Sequence, residues 1–242
     1  MKHAPGLHRP VRSFVGLWNA LRFRQLLVFI IIGLLLEPFT SSHAGLSIVF
    51  QFIFLNALLV ALSSIEGHER WLVSLRAVLV GLWAIGAVLR VVCLTGLAPA
   101  LDTTLLAVTV VVDAFLMGTC VAVLMKFVLR GHDVDAERIF AAVVAYFLMA
   151  FTFASIYDLL VIVRPASFFA AEAAGEATGY MTYDSLYFSF VTITTLGYGD
   201  IVPHLPLARA LCIIEAVAGQ FYIAVVIAWL VSSYVGSRRA RS

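Results

Sequence analysis

Long apolar stretches constrain this chain more than any other feature. Leu101 to Leu129 is one of them, and it carries only three charged side chains, Asp102, Asp113 and Lys126. A helix of roughly 20 residues crosses the hydrocarbon of a bilayer. Six stretches are expected to do so: Leu21 to Glu37, Leu46 to Ile65, Trp71 to Thr95, Leu101 to Leu129, Arg138 to Val163 and Leu207 to Val235. Composition agrees: charged residues make up 12% of the chain, about half the share of a soluble domain, and mean hydropathy is +1.02. The expected fold class is therefore an all-α membrane protein, because helices satisfy their own backbone hydrogen bonds in lipid. A soluble globular fold is excluded.

Charge placement sets the expected topology. With the N-terminus inside, the cytoplasmic basic residues are Lys2, Arg9, Arg12, Arg22, Arg24, Arg70, Lys126, Arg130, Arg138, Arg238, Arg239 and Arg241. Arg164 and Arg209 fall outside, and Arg76 and Arg90 lie within the third span. This asymmetry puts both termini in the cytoplasm. It predicts a multi-pass protein of the plasma membrane, the inner membrane if the source is bacterial. Val11, Phe14, Val15, Trp18 and Leu21 recur at helical spacing among the first basic residues, which reads as an amphipathic helix on the membrane face. The expected organisation is a cytoplasmic amphipathic segment (1–24), a four-helix transmembrane unit (25–130), a pore domain (138–236) and a short cytoplasmic tail (237–242). No appended regulatory domain is expected. The net charge of +2 gives no reason to expect nucleic acid. Cys93, Cys120 and Cys212 read as small core residues without metal-ligand spacing. The loops 67–70 (Gly-His-Glu-Arg) and 131–133 (Gly-His-Asp) read as solvated charge.

Thr192 to Asp200, TITTLGYGD, breaks the apolar pattern between the last two spans. Before it, Tyr183 to Thr194 is apolar and aromatic, a helix too short to span. Thr182 or Asp184 can cap its start. The chain therefore re-enters from the outer side and turns at membrane depth. Irregular backbone is tolerated there only when it is buried in protein or lines a water-filled path. Gly197 and Gly199 permit positive φ, so successive carbonyls can point one way. Around an axis, carbonyls of Thr195, Leu196, Gly197 and Tyr198, with the Thr195 hydroxyl, form oxygen rings that replace a cation's hydration shell. Asp200 then sits at the outer mouth and Tyr198 braces the backbone against the short helix.

This arrangement resembles the pore region of potassium channels: a pore helix, the filter Thr195-Leu196-Gly197-Tyr198-Gly199, and the trailing acid Asp200. The resemblance covers Arg138 to Val235. It implies a homotetramer in the lipid bilayer, with K+ as the permeant ion held by filter carbonyls and no cofactor. It also implies a flexible inner-helix glycine at Gly219, a candidate gating hinge, with close helix packing as the other reading of this glycine. Ala224 and Ala228 are small enough for close approach at the inner mouth. The sequence departs from some members of the family: Tyr187 and Phe188 replace a tryptophan pair, and Val191 stands where certain members keep an acid. Fewer bracing hydrogen bonds near Tyr198 and Asp200 are expected in consequence.

A voltage sensor needs several arginines in its fourth span, and Leu101 to Leu129 has none. Strong voltage gating is not expected. Arg90 and Asp113 are expected to form an ion pair. Asp158 is expected near the outer interface. Glu215, one turn before Gly219, is a candidate for hydrogen bonding to the pore helix or for gating. His204 follows the filter on the outer side. No enzyme motif and no regulatory ligand is legible. The expected function is passive, potassium-selective conduction. The alternatives are a weakly selective cation channel, a potassium transporter subunit, or a non-conducting sensor or accessory subunit.

Overall fold

The computed structural model describes residues 14–36, 59–60, 70–95, 102–129, 136–164 and 182–239. Its elements are α1 (Phe14–Leu36), α2 (Arg70–Thr95), α3 (Asp102–Leu129), α4 (Ala136–Val163), the short α5 (Thr182–Ile193), α6 (Pro206–Phe221), a π-helical segment (Tyr222–Ile227) and α7 (Ala228–Arg239). There is no strand among the described residues. Three helical stretches are long and apolar enough to cross a bilayer: Thr103–Leu129, Ala136–Val163 and Pro206–Gly236. Shorter apolar helices cover Phe23–Leu36 and Ala77–Cys93. This is an all-helical membrane protein.

α4 is the hub. It packs against α1, α3 and α5, and touches α6, the π segment and α7. Its sequence explains this: Ala141, Ala142, Ala145, Ala150 and Ala154 are buried among Val144, Leu148, Phe151 and Tyr157. Small side chains let neighbouring backbones approach closely. One core gathers Phe23, Leu26 and Ile30 of α1, Leu116, Leu124 and Val128 of α3, and Leu148 of α4. Faces turned away from it stay apolar, as at Val28, Phe29 and Leu35 of α1. That is the pattern lipid requires rather than water.

One continuous helix runs Phe14–Leu36, through residue 24 where the amphipathic segment was expected to give way to the first span. The last span is interrupted by the π segment. The second expected span, apart from residues 59–60, lies outside the described residues. So do residues 1–13, with the start of the expected amphipathic segment, the loops 67–69 and 131–133, the stretch 165–181 and the last three residues.

Candidate functional site

The short helix α5 ends in a defined hydrogen-bond pattern. Leu196 N–H donates to Val191 O at 3.0 Å, and Thr195 N–H donates to Thr192 O at 2.9 Å. These are the two bonds of a Schellman motif, and they place Thr195 at the left-handed position just past the helix. Its φ is 57°. Glycine is the usual occupant there, since left-handed backbone costs a β-branched residue about 1–3 kcal/mol. Gly197 N–H also reaches Val191 O, at 3.2 Å.

Positive φ then alternates along the loop: Thr195 at 57°, Gly197 at 58° and Gly199 at 78°. No other described residue has positive φ. Alternation of this kind turns successive peptide planes the same way, so carbonyls from neighbouring residues share one side. The two glycines follow the sequence expectation. Thr195 carried no signal by residue type, and only the helix-ending geometry reveals it. The whole run 194–200 is exposed in the single chain, with Leu196 at 54% and Tyr198 at 67%. Tyr198 was expected to brace the loop against α5, but within one chain its ring is largely uncovered.

Three residues on two further elements hold this loop. From α4, the Tyr146 hydroxyl donates to Ile193 O at 3.0 Å, satisfying the last carbonyl of α5. From α6, Gly219 lies against the same residue: a Cβ at Gly219 would stand 2.5 Å from Ile193 O and 2.7 Å from Ile193 Cγ1. Its demonstrable role is therefore close approach, and the irregular backbone begins three residues later at Tyr222. Beside it, Gln220 Nε2 donates to Thr195 Oγ1 at 3.0 Å. Sequence reasoning passed over Tyr146 and Gln220. Gln220 was discoverable as an amide on an apolar helix next to the candidate hinge.

A buried polar junction lies behind α5. Glu215 of α6 is fully buried. It accepts from the Tyr157 hydroxyl of α4 at 2.6 Å and from the Ser189 hydroxyl of α5 at 2.5 Å. Ser189 also lies 2.8 Å from Ala150 O, and the Cys212 sulfur is 3.6 Å from the Tyr157 hydroxyl. Glu215 thus ties three helices together, which agrees with the hydrogen-bonding expectation for this residue. Buried carboxylates require such partners.

At the other end of the loop, Tyr187 O–H donates to Asp200 Oδ2 at 2.6 Å, and Ile201 N–H donates to Oδ1 at 3.0 Å. The Tyr187 bond, aided by the backbone N–H, holds the Asp200 carboxyl below the usual carboxylate range. Fewer bracing hydrogen bonds were expected here than a tryptophan pair would give, and at Asp200 one brace is present. A tyrosine hydroxyl supplies the donor instead. His204 is exposed beyond this brace. Away from the loop, Arg90 Nη2 and Asp113 Oδ2 pair at 2.6 Å between α2 and α3. Among the described residues no cluster of three His, Cys, Asp or Glu side chains is arranged to hold a metal.

Comparison with known proteins covers this same region. A family model described as an ion channel matches residues 145–235. Protein LctB of Bacillus caldotenax is 30% identical over 118 residues, which spans 48% of this chain and 87% of that protein. Protein LctB of Geobacillus stearothermophilus is 32% identical over 122 residues, again 48% of this chain and 87% of the relative. The matched family model takes in α5, the Thr195–Asp200 loop and the helices holding it, and the chain belongs to this ion channel family.

Proposed function

We propose that the chain is the subunit of a potassium-selective channel, four copies of which surround one axis and conduct K+ passively. The observation that carries this reading is the alternation of left-handed residues at Thr195, Gly197 and Gly199 in an exposed loop at the end of a short helix. Such a loop presents carbonyls of Thr195, Leu196, Gly197 and Tyr198 toward a dehydrated cation. Gly199 completes the filter and Asp200 attracts cations at the outer mouth.

Several features support the assembly. One loop cannot enclose a path, and symmetric closure is the usual solution. Tyr198 at 67% exposure, together with Ile213 at 65% and Phe221 at 66% on the inner helix, needs covering. Neighbouring copies and lipid supply that cover. The subunit has six spans with both termini in the cytoplasm of a cell-membrane protein, following its Lys and Arg distribution. It performs no chemical transformation and needs no cofactor. α3 carries only Lys126 as a base in its last turn, so opening depends weakly on voltage.

The test is reconstitution in planar bilayers with K+ on one side and Na+ on the other. The expected reversal potential lies near the potassium limit. Gly197→Ala is expected to abolish selectivity, because an L side chain at φ 58° is strained. A current reversing near zero would favour a weakly selective cation channel. Silence from folded tetramers under all tested voltages and pH values would favour a sensor or accessory subunit.

A further inference from the structure

The inner end of the loop poses a specific problem. Thr195 holds a left-handed backbone, φ 57°, where glycine would sit without strain. A threonine persists there only if its hydroxyl is needed and its conformation is held from outside. Its own helix supplies backbone bonds through Val191 and Thr192, but these would hold a glycine equally well. The hydroxyl itself is held from elsewhere. Gln220, on a different element, donates its Nε2 hydrogen to Thr195 Oγ1 at 3.0 Å.

The local geometry makes this contact unavoidable. Gly219 brings α6 onto Ile193, so that even a Cβ would collide with its carbonyl. The next residue along α6 then faces the loop two residues beyond Ile193. Both Thr195 and Gln220 are exposed in the single chain. A hydroxyl has one hydrogen and two acceptor sites. Once one site takes the Gln220 N–H, the rotor is locked and the second stays available to a cation.

We propose that Gln220 is a positioning residue for permeation, which fixes the Thr195 hydroxyl so that its free lone pair faces the innermost ion of the filter. This rests on the potassium-channel reading above. Gln220 does not bind the ion; it acts through Thr195.

The test uses purified full-length tetramers and needs no open channel. Thermal melting is followed while K+ replaces Na+ at constant ionic strength. Ligand binding to the folded state raises stability as the logarithm of one plus the ratio of K+ concentration to Kd, so fitting the melting shift against K+ concentration gives the midpoint concentration for binding. Gln220→Leu, similar in size but without a donor, is expected to raise that concentration at least about fivefold. Its melting in Na+ alone is expected to fall only by the loss of one exposed hydrogen bond. In the Thr195→Ala background, Gln220→Leu is expected to add nothing, because the hydroxyl it positions is already gone. Gln220→Met serves as a second donor-free variant if leucine prevents assembly. An unchanged K+ midpoint, or losses from the two substitutions that simply add, would overturn the proposal. A lowered melting point in Na+ with the K+ midpoint intact would also overturn it, since that marks a structural bond only. Wild-type protein protected equally by both ions would sink the potassium reading itself, and this inference with it.

Discussion

At the residue scale, the loop is held by single hydrogen bonds whose removal has distinct signatures. Glu215 is the clearest case. Glu215→Gln keeps one acceptor and one donor for Tyr157 and Ser189, so it is expected to preserve the tetramer. Glu215→Ala removes the acceptor of the Tyr157 hydroxyl, while Ser189 keeps Ala150 O, and a buried group left unsatisfied costs about 1–3 kcal/mol. Melting of the detergent-solubilised protein compares the two, and equal losses would show that the network contributes nothing. Asp200 answers a different question. Its folded pKa lies below the unfolded value, so its contribution is full above the unfolded pKa of about 3.9. That contribution disappears only as pH falls through the depressed folded value. Removing the donor with Tyr187→Phe is expected to move acid sensitivity of the current toward higher external pH. A pH profile identical to wild type would mean the Tyr187 bond does not control Asp200.

At the element scale, the inner helix is a packing surface first and an irregular segment second. Gly219 touches Ile193, and the atom a new Cβ would meet at 2.5 Å is backbone oxygen. That neighbour cannot rotate aside. Gly219→Ala is therefore expected to displace α6 from α5, at a cost of about 1–3 kcal/mol for overpacking, and to lower tetramer yield and K+ protection together. Full yield with altered opening alone would restore the hinge reading. The departure from α-helix falls at Tyr222–Ile227. Its first residue is anchored, since the Tyr222 hydroxyl donates to Ala142 O at 2.7 Å and its ring lies 5.5 Å from that of Tyr146. π segments concentrate at functional positions. Here α4 grips the start of one through Tyr222.

At the scale of the whole molecule, α4 connects the peripheral helices to the loop. It packs on α1 and α3 at one side and sends Tyr146 and Tyr157 toward α5 and α6 at the other. The Arg90–Asp113 pair joins α2 to α3 within this periphery. Asp113→Ala leaves Arg90 without its carboxylate partner, and breaking a buried pair costs about 3–5 kcal/mol. Arg90 retains 21% side-chain exposure, so the loss is expected at or below the lower end of that range. The charge-reversed pair Arg90→Asp with Asp113→Arg is expected to recover part of it in a melting experiment. No recovery would show that the pair is not a direct strut.

Much of this was present in the sequence because it depends on local or one-dimensional properties. Apolar runs of spanning length specify a membrane protein, since lipid leaves the backbone no alternative to helix. Gly197 and Gly199 announce positive φ by lacking a Cβ. The short aromatic segment before them announces a helix too short to cross. What only the tertiary structure decided are the pairings between residues distant along the chain. Thr195 is legible as a filter residue, but its left-handed backbone and its bond from Gln220 show only where α5 ends and α6 meets it. Gly219 reads equally as a hinge or as a close-packing position until Ile193 is found against it. Glu215 is legible as a residue in need of a partner, but that Tyr157 and Ser189 supply it shows only where three helices converge. The physical reason is that periodicity and backbone preference act within a few residues. Which side chain satisfies a buried carboxylate or a strained hydroxyl is settled by packing among helices.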